Sequence, residues 1–115
     1  MEAVDLTRLS NTTLASRQAM ACFTCATCVS SCPATGIDGF DPRKLVRMAV
    51  LGMEEDLVNA RWPWICTMCG RCDYVCPMEV KIGDLVRNIR SLRGRETVPG
   101  TLHKGVETAI KTGNN

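Results

Sequence analysis

Apolar positions between residues 82 and 93 recur with a helical period. Ile82, Leu85, Val86, Ile89 and Leu92 stand at i, i+3, i+4, i+7 and i+10 and define one stripe. Asp84, Arg87, Asn88, Arg90 and Ser91 fill the other side, so the spacing predicts an amphipathic helix with a solvated face. A second helix is predicted over 43–51. Asp41 is its N-cap, Pro42 suits the first helical position, and Gly52 suits the C-terminal cap. From Leu45 onward that helix is apolar except for Arg47, so most of its circumference should be covered. Residues 53–60 read as a third, short helix with Glu54, Glu55 and Asp56 at its positive dipole end, and Trp62-Pro63-Trp64 is expected to end it. Gly94, Pro99 and Gly100 mark 94–100 as a linker. A last helix over 101–111 would carry Leu102, Val106, Ala109 and Ile110 on one side, weakened by Gly105. No run alternates apolar and polar residues for more than a few positions, so an all-α fold is expected.

The organisation that follows is an N-terminal segment over 1–15, a domain over 16–95, and a tail or short helix over 96–115. Residues 1–15 are polar with Val4, Leu6, Leu9 and Leu14 scattered, and read as a loop or short helix. Both terminal segments are candidates for ordering only against partner chains.

Charge narrows the function. Fourteen Lys and Arg against 12 Asp and Glu leave +2 over 115 residues, too little basic field for nucleic acid to be the main partner. The uncharged apolar runs fall far short of a membrane span. Glu2 and Asp5 interrupt the start, where a secretory signal would need a cationic stretch and then an apolar one. A cytoplasmic location is expected, and there cysteines usually bind metal or do redox chemistry.

Eight cysteines are present. Cys22, Cys25, Cys28 and Cys32 form CFTCATCVSSCP, and Cys66, Cys69, Cys72 and Cys76 form CTMCGRCDYVCP, 44 positions further on. Each run is CxxCxxCxxxCP. Three thiolates spaced by two residues can curl round one concave side of a helical or turn-like backbone. The fourth lies beyond a kink, where Pro33 or Pro77 ends the turn and removes an N–H that would need a partner. The pattern matches the bacterial run for iron–sulfur ligation, in which the fourth cysteine of two-cluster proteins ligates the other cluster. The crossed assignment is then Cys22, Cys25, Cys28 and Cys76 on one [4Fe–4S] cluster, and Cys66, Cys69, Cys72 and Cys32 on the second. Competing readings have specific defects. A disulfide framework needs a secreted chain, structural zinc usually takes two separated CxxC pairs, and a [3Fe–4S] centre in one site has no replaced ligand position to account for it.

These residues carry a family likeness. The double CxxCxxCxxxCP run, with DPRKLVRMAVLGM between and KIGDLVRNIRSLR after, resembles the α-helical ferredoxin domain with its pseudo-twofold repeat. A compact βαββαβ ferredoxin has a short, strand-rich connection instead of the 33 residues found here between Cys32 and Cys66. Within that superfamily the chain, over about 16–95, is similar to the small C-type iron–sulfur subunit of heterodisulfide reductase and related complexes. The resemblance implies a non-catalytic subunit that relays single electrons between a flavin-bearing A-type subunit and a CCG-type B catalytic subunit. Alternatives are an iron–sulfur subunit of another membrane- or flavin-linked oxidoreductase, or a free ferredoxin.

Phe23, Ile65, Met68, Tyr74, Val75 and Met78 interleave with the cysteines and are expected to shield the cubes. His103 is expected at the surface. Lys81, Arg87, Arg90, Arg93 and Arg95 form a basic stretch that reads either as a solvated face or as a docking face.

Overall fold

The computed structural model describes residues 17–114. The N-terminal segment 1–15 lies outside them. Eight α-helices follow in order: α1 Arg17–Met20, α2 Thr27–Ser31, α3 Pro42–Val50, α4 Glu54–Asn59, α5 Trp62–Ile65, α6 Arg71–Val75, α7 Ile82–Leu92 and α8 Gly100–Thr112. Short 3₁₀ turns occupy Ile37–Gly39 and Arg95–Thr97, and no strand occurs among the described residues. The fold is all-α.

Helix α3 has the caps its sequence announces. The Asp41 carboxylate accepts from the Lys44 N–H at 3.0 Å, and Pro42 takes the first turn, where its missing N–H leaves no bond unmade. At the other end Gly52 is left-handed (φ 77°), its N–H donating to the Ala49 carbonyl while the Met53 N–H donates to that of Met48. This pair of bonds is a Schellman motif, for which glycine is the residue without a Cβ penalty. Leu45, Val46 and Ala49 are then fully buried.

Helix α7 buries Ile82, Leu85, Val86 and Ile89 as its stripe requires. Leu92 is 47% exposed, because the last turn runs past the core. The buried positions of α3 (Pro42, Leu45, Val46, Ala49) and of α7 repeat at one spacing 40 residues apart, while α2 and α6 repeat at 44 and lie against each other. The two halves of the domain are thus copies built round a shared core, with Phe40 and Leu57 filling it between them.

Helix α4 ends at Asn59, ahead of Trp62-Pro63-Trp64 as expected, but that segment is itself helical. It forms α5, with buried Pro63 in the first turn. Trp62 meets Phe40 edge-to-face with ring centroids 6.4 Å apart and donates from Nε1 to the Asp38 carbonyl at 3.1 Å. Gly105 does not interrupt α8, which ends on left-handed Gly113. Its apolar stripe stays open to solvent, with Leu102, Val106 and Ile110 all exposed.

Candidate metal centres

Each cysteine run has the same unusual backbone. Thr24 and Ala26 in the first run are left-handed (φ 66° and 68°), and 44 residues later so are Met68 and Gly70 (φ 58° and 77°). Three of these four residues carry a Cβ, and that conformation costs them roughly 1–2 kcal/mol each. Cys25 and Cys69, between the left-handed residues, keep ordinary φ. Alternation of this kind turns successive N–H groups to one side and makes an anion-binding nest, a form found at iron–sulfur sites. The runs then enter α2 and α6, and Cys32 and Cys76 leave those helices in extended geometry at φ −77° and −70°.

The fold gathers the eight sulfurs into two groups. One cavity is lined by Cys22, Cys25, Cys28 and Cys76, with Phe23, Met78, Val80 and Arg43 among its other walls. A second is lined by Cys66, Cys69, Cys72 and Cys32, with Phe40, Met68 and Gly83. Each holds three thiols of one run and the fourth of the other, because α2 packs on α6 and the end of each run comes beside the start of its copy. Ile82, at the start of α7, lines both. Among the described residues no three Cys, His, Asp or Glu side chains converge closely enough for a single metal ion.

Burial divides the thiols. Cys25 and Cys69 are exposed and the other six are half-buried. Hydrogen bonding to Thr27 holds Cys25 below the ordinary thiol value, and the Arg71 backbone N–H does the same for Cys69. Burial pushes Cys28 up to about 11, with the Cys22 sulfur adding to the shift. Burial pushes Cys72 up to about 12, with Asp73 beside it. Cys76 Sγ accepts from the Val80 N–H at 3.3 Å.

Three charged residues at the sites have roles that the sequence pattern does not give. Arg90 is not on a free solvated face. Its Nε donates to the Pro63 carbonyl at 2.7 Å, its Nη2 to the Cys66 carbonyl at 2.6 Å, and its guanidinium lies 5.3 Å over the Trp64 ring. Asp73 accepts from the Gly83 N–H at 2.9 Å and receives the Cys72 thiol at 3.7 Å. Arg43, 3.7 Å from Asp41, lines the first cavity. The 44-residue offset could have exposed Asp73, since its counterpart is Val29. Arg93 is likewise structural, donating to the Ala60 carbonyl at 3.0 Å, whereas Lys81, Arg87 and Arg95 are exposed.

The expected shield is only partly present. Ile65, Met68 and Val75 are half-buried, and Phe23 and Met78 line the first cavity although exposed. Tyr74 is 91% exposed and lines neither cavity. His103 sits on α8 with Nε2 2.7 Å from the Arg95 carbonyl.

The family description "4Fe-4S dicluster domain" matches residues 18–80, more than half of the chain and all eight cysteines. The chain belongs to the 4Fe-4S dicluster domain family. As a dicluster domain its cofactors are two [4Fe–4S] clusters, and the donor set fits them: two groups of four thiols, each beside a backbone nest. The chain is 34% identical over 94 residues to the C-type subunit of the H(2):CoB-CoM heterodisulfide,ferredoxin reductase of Methanothermobacter marburgensis, covering 81% of this chain and 51% of that one. It is 34% identical over 95 residues to the C-type iron–sulfur subunit of the CoB--CoM heterodisulfide reductase of Methanopyrus kandleri, covering 82% and 50%. Similarity to the B-type subunit of the fumarate reductase (CoM/CoB) of Methanothermobacter marburgensis is 33% over 106 residues, covering 77% and 20%. The dicluster chain spans about half the length of the heterodisulfide reductase relatives it matches. No helix among the described residues is long and apolar enough to cross a membrane.

Proposed function

We propose that the chain is the electron-relay subunit of a heterodisulfide-reductase-like complex. In it, Cys22, Cys25, Cys28 and Cys76 hold one cluster, and Cys66, Cys69, Cys72 and Cys32 hold the other. The relay runs between a flavin-bearing A-type subunit and a CCG-type B catalytic subunit. The observation that supports this reading is the crossing of the fourth cysteines, which sets two four-thiol sites side by side with Ile82 between them. When bound, the clusters supply one-electron oxidation and reduction. The protein's own part is to hold and insulate. The left-handed residues of each nest aim N–H groups inward, Arg90 fixes the second run through the Cys66 carbonyl, and the core of α3 and α7 keeps water from the inner sulfurs. Exposed Cys25 and Cys69 sit at the outer edge of each site, where an electron can enter or leave through a docked neighbour.

Native purification from the source cell tests the assignment. Co-elution with a flavin-bearing chain and a CCG-containing chain is the expected result, whereas elution as a lone protein would make it a diffusing ferredoxin. The fumarate-reductase relative supports a second reading, a component of another oxidoreductase, which a different set of co-eluting chains would reveal.

A further inference from the structure

The two cysteine runs are copies in backbone but not in charge. Position 29 in the first run is valine, half-buried, and its counterpart 44 residues later is Asp73. The Asp73 carboxylate is half-buried too and lies against the second site, with Oδ1 3.7 Å from the Cys72 sulfur. It is held there. Oδ1 accepts the Gly83 N–H at 2.9 Å in the first turn of α7, and residue 83 has no side chain to obstruct it: a Cβ there would stand 3.0 Å from Oδ2. Residue 43, which takes the corresponding place in α3, is an arginine lining the first cavity.

A carboxylate fixed this close to a ligand sulfur acts on any added electron. An all-thiolate cluster is already anionic, and reduction by one electron, here from the titrant, adds a further negative charge. Partial burial limits the screening of that repulsion by solvent. We infer that Asp73 is a potential-setting residue: its carboxylate keeps the cluster at Cys32, Cys66, Cys69 and Cys72 harder to reduce than a neutral side chain would, and it acts on that cluster alone. Arg71 and Arg90 also lie near this site, on Cys69 and on the Cys66 carbonyl, but a change at position 73 leaves both in place. The inference rests on the ligand assignment proposed above.

The test is a dithionite titration of the full, cluster-loaded protein with redox mediators, following the reduced-state EPR signals. Asp73→Asn keeps an oxygen to accept the Gly83 N–H and removes only the charge. The expected result is that one of the two signals moves to higher potential and the other stays. A purely structural role, capping α7, would leave both potentials where they are and overturn the proposal. Equal shifts in both signals, or a downward shift, would overturn it as well. Asp73→Ser, also neutral, repeats the measurement should the Asn variant fail to load. Loss of the second cluster in both neutral variants makes Asp73 structural and ends the proposal. The ligand assignment fails separately, if Cys32→Ser and Cys66→Ser alter different signals.

Discussion

The guanidinium of Arg90 closes on the carbonyl of Cys66, Nη2 donating over 2.6 Å across 24 positions of sequence. A charge-assisted bond of this kind ties the end of α7 to the first cysteine of the second run, and the Nε bond to Pro63 makes it a fork. Arg90→Gln should therefore destabilise the loaded protein by about 3–6 kcal/mol, since it removes two hydrogen bonds to a charged group at about 1.5–3 kcal/mol each. Arg90→Lys should recover only part of this, because a point ammonium cannot keep both bonds in fork geometry. Thermal melts monitored by visible cluster absorbance measure both variants.

Helix α3 offers a cleaner local case. Asp41→Ala removes the cap on Lys44 and should cost about 1 kcal/mol. Gly52→Ala forces a Cβ into φ 77° and should cost roughly 1–2 kcal/mol. The two changes sit at opposite ends of one helix and share no partner, so denaturation midpoints of the double variant should show near-additive losses.

Burial separates α7 from α8, although both carry an apolar stripe. Leu85→Ala, with Leu85 inside the core, should cost about 2–5 kcal/mol. Ile110→Ala, at 75% exposure, should stay within about 0.5 kcal/mol. Equal losses in melts of the isolated protein would show that α8 packs on the domain.

These contrasts mark what is legible in the chain. The Asp41-Pro42 start, the Gly52 stop and the α7 stripe are local signals, and each appears in the fold at the residues that carry it. The cysteine spacing is local too, and its repeat at 44 positions is matched by a repeat in backbone geometry. The bonds of Arg90 and Arg93 are not legible, because periodicity places a long side chain on a face but cannot say whether it folds back onto a carbonyl 24 or 33 positions away. The Trp62–Ile65 turn escapes for a related reason: Pro63 reads as a breaker unless the chain happens to start a helix there. Tyr74 neighbours cysteines in sequence, which suggests a shield, yet on a five-residue helix such as α6 its neighbours point inward and it points out.

Acidification should release the clusters. Without iron, Cys28 and Cys72 hold their protons at neutral pH, their values raised to about 11 and about 12, while a ligating sulfur is bound as thiolate. Protons therefore compete with iron. The stabilisation that iron supplies is present at high pH and is lost as pH falls, by about tenfold in affinity per pH unit for each such thiol. Bleaching of the visible absorbance followed from pH 8 downward checks the sign, and an increase in cluster retention at low pH would contradict it.

The relay reading depends above all on the crossing of Cys32 and Cys76, and EPR of single cysteine-to-serine variants tests it most directly. Serine ligation alters the signal of the cluster it enters. Cys76→Ser should change the same signal as Cys22→Ser and leave untouched the one that Cys66→Ser changes. If Cys76→Ser instead alters the Cys66 signal, each run holds its own cluster and the crossed assignment is wrong.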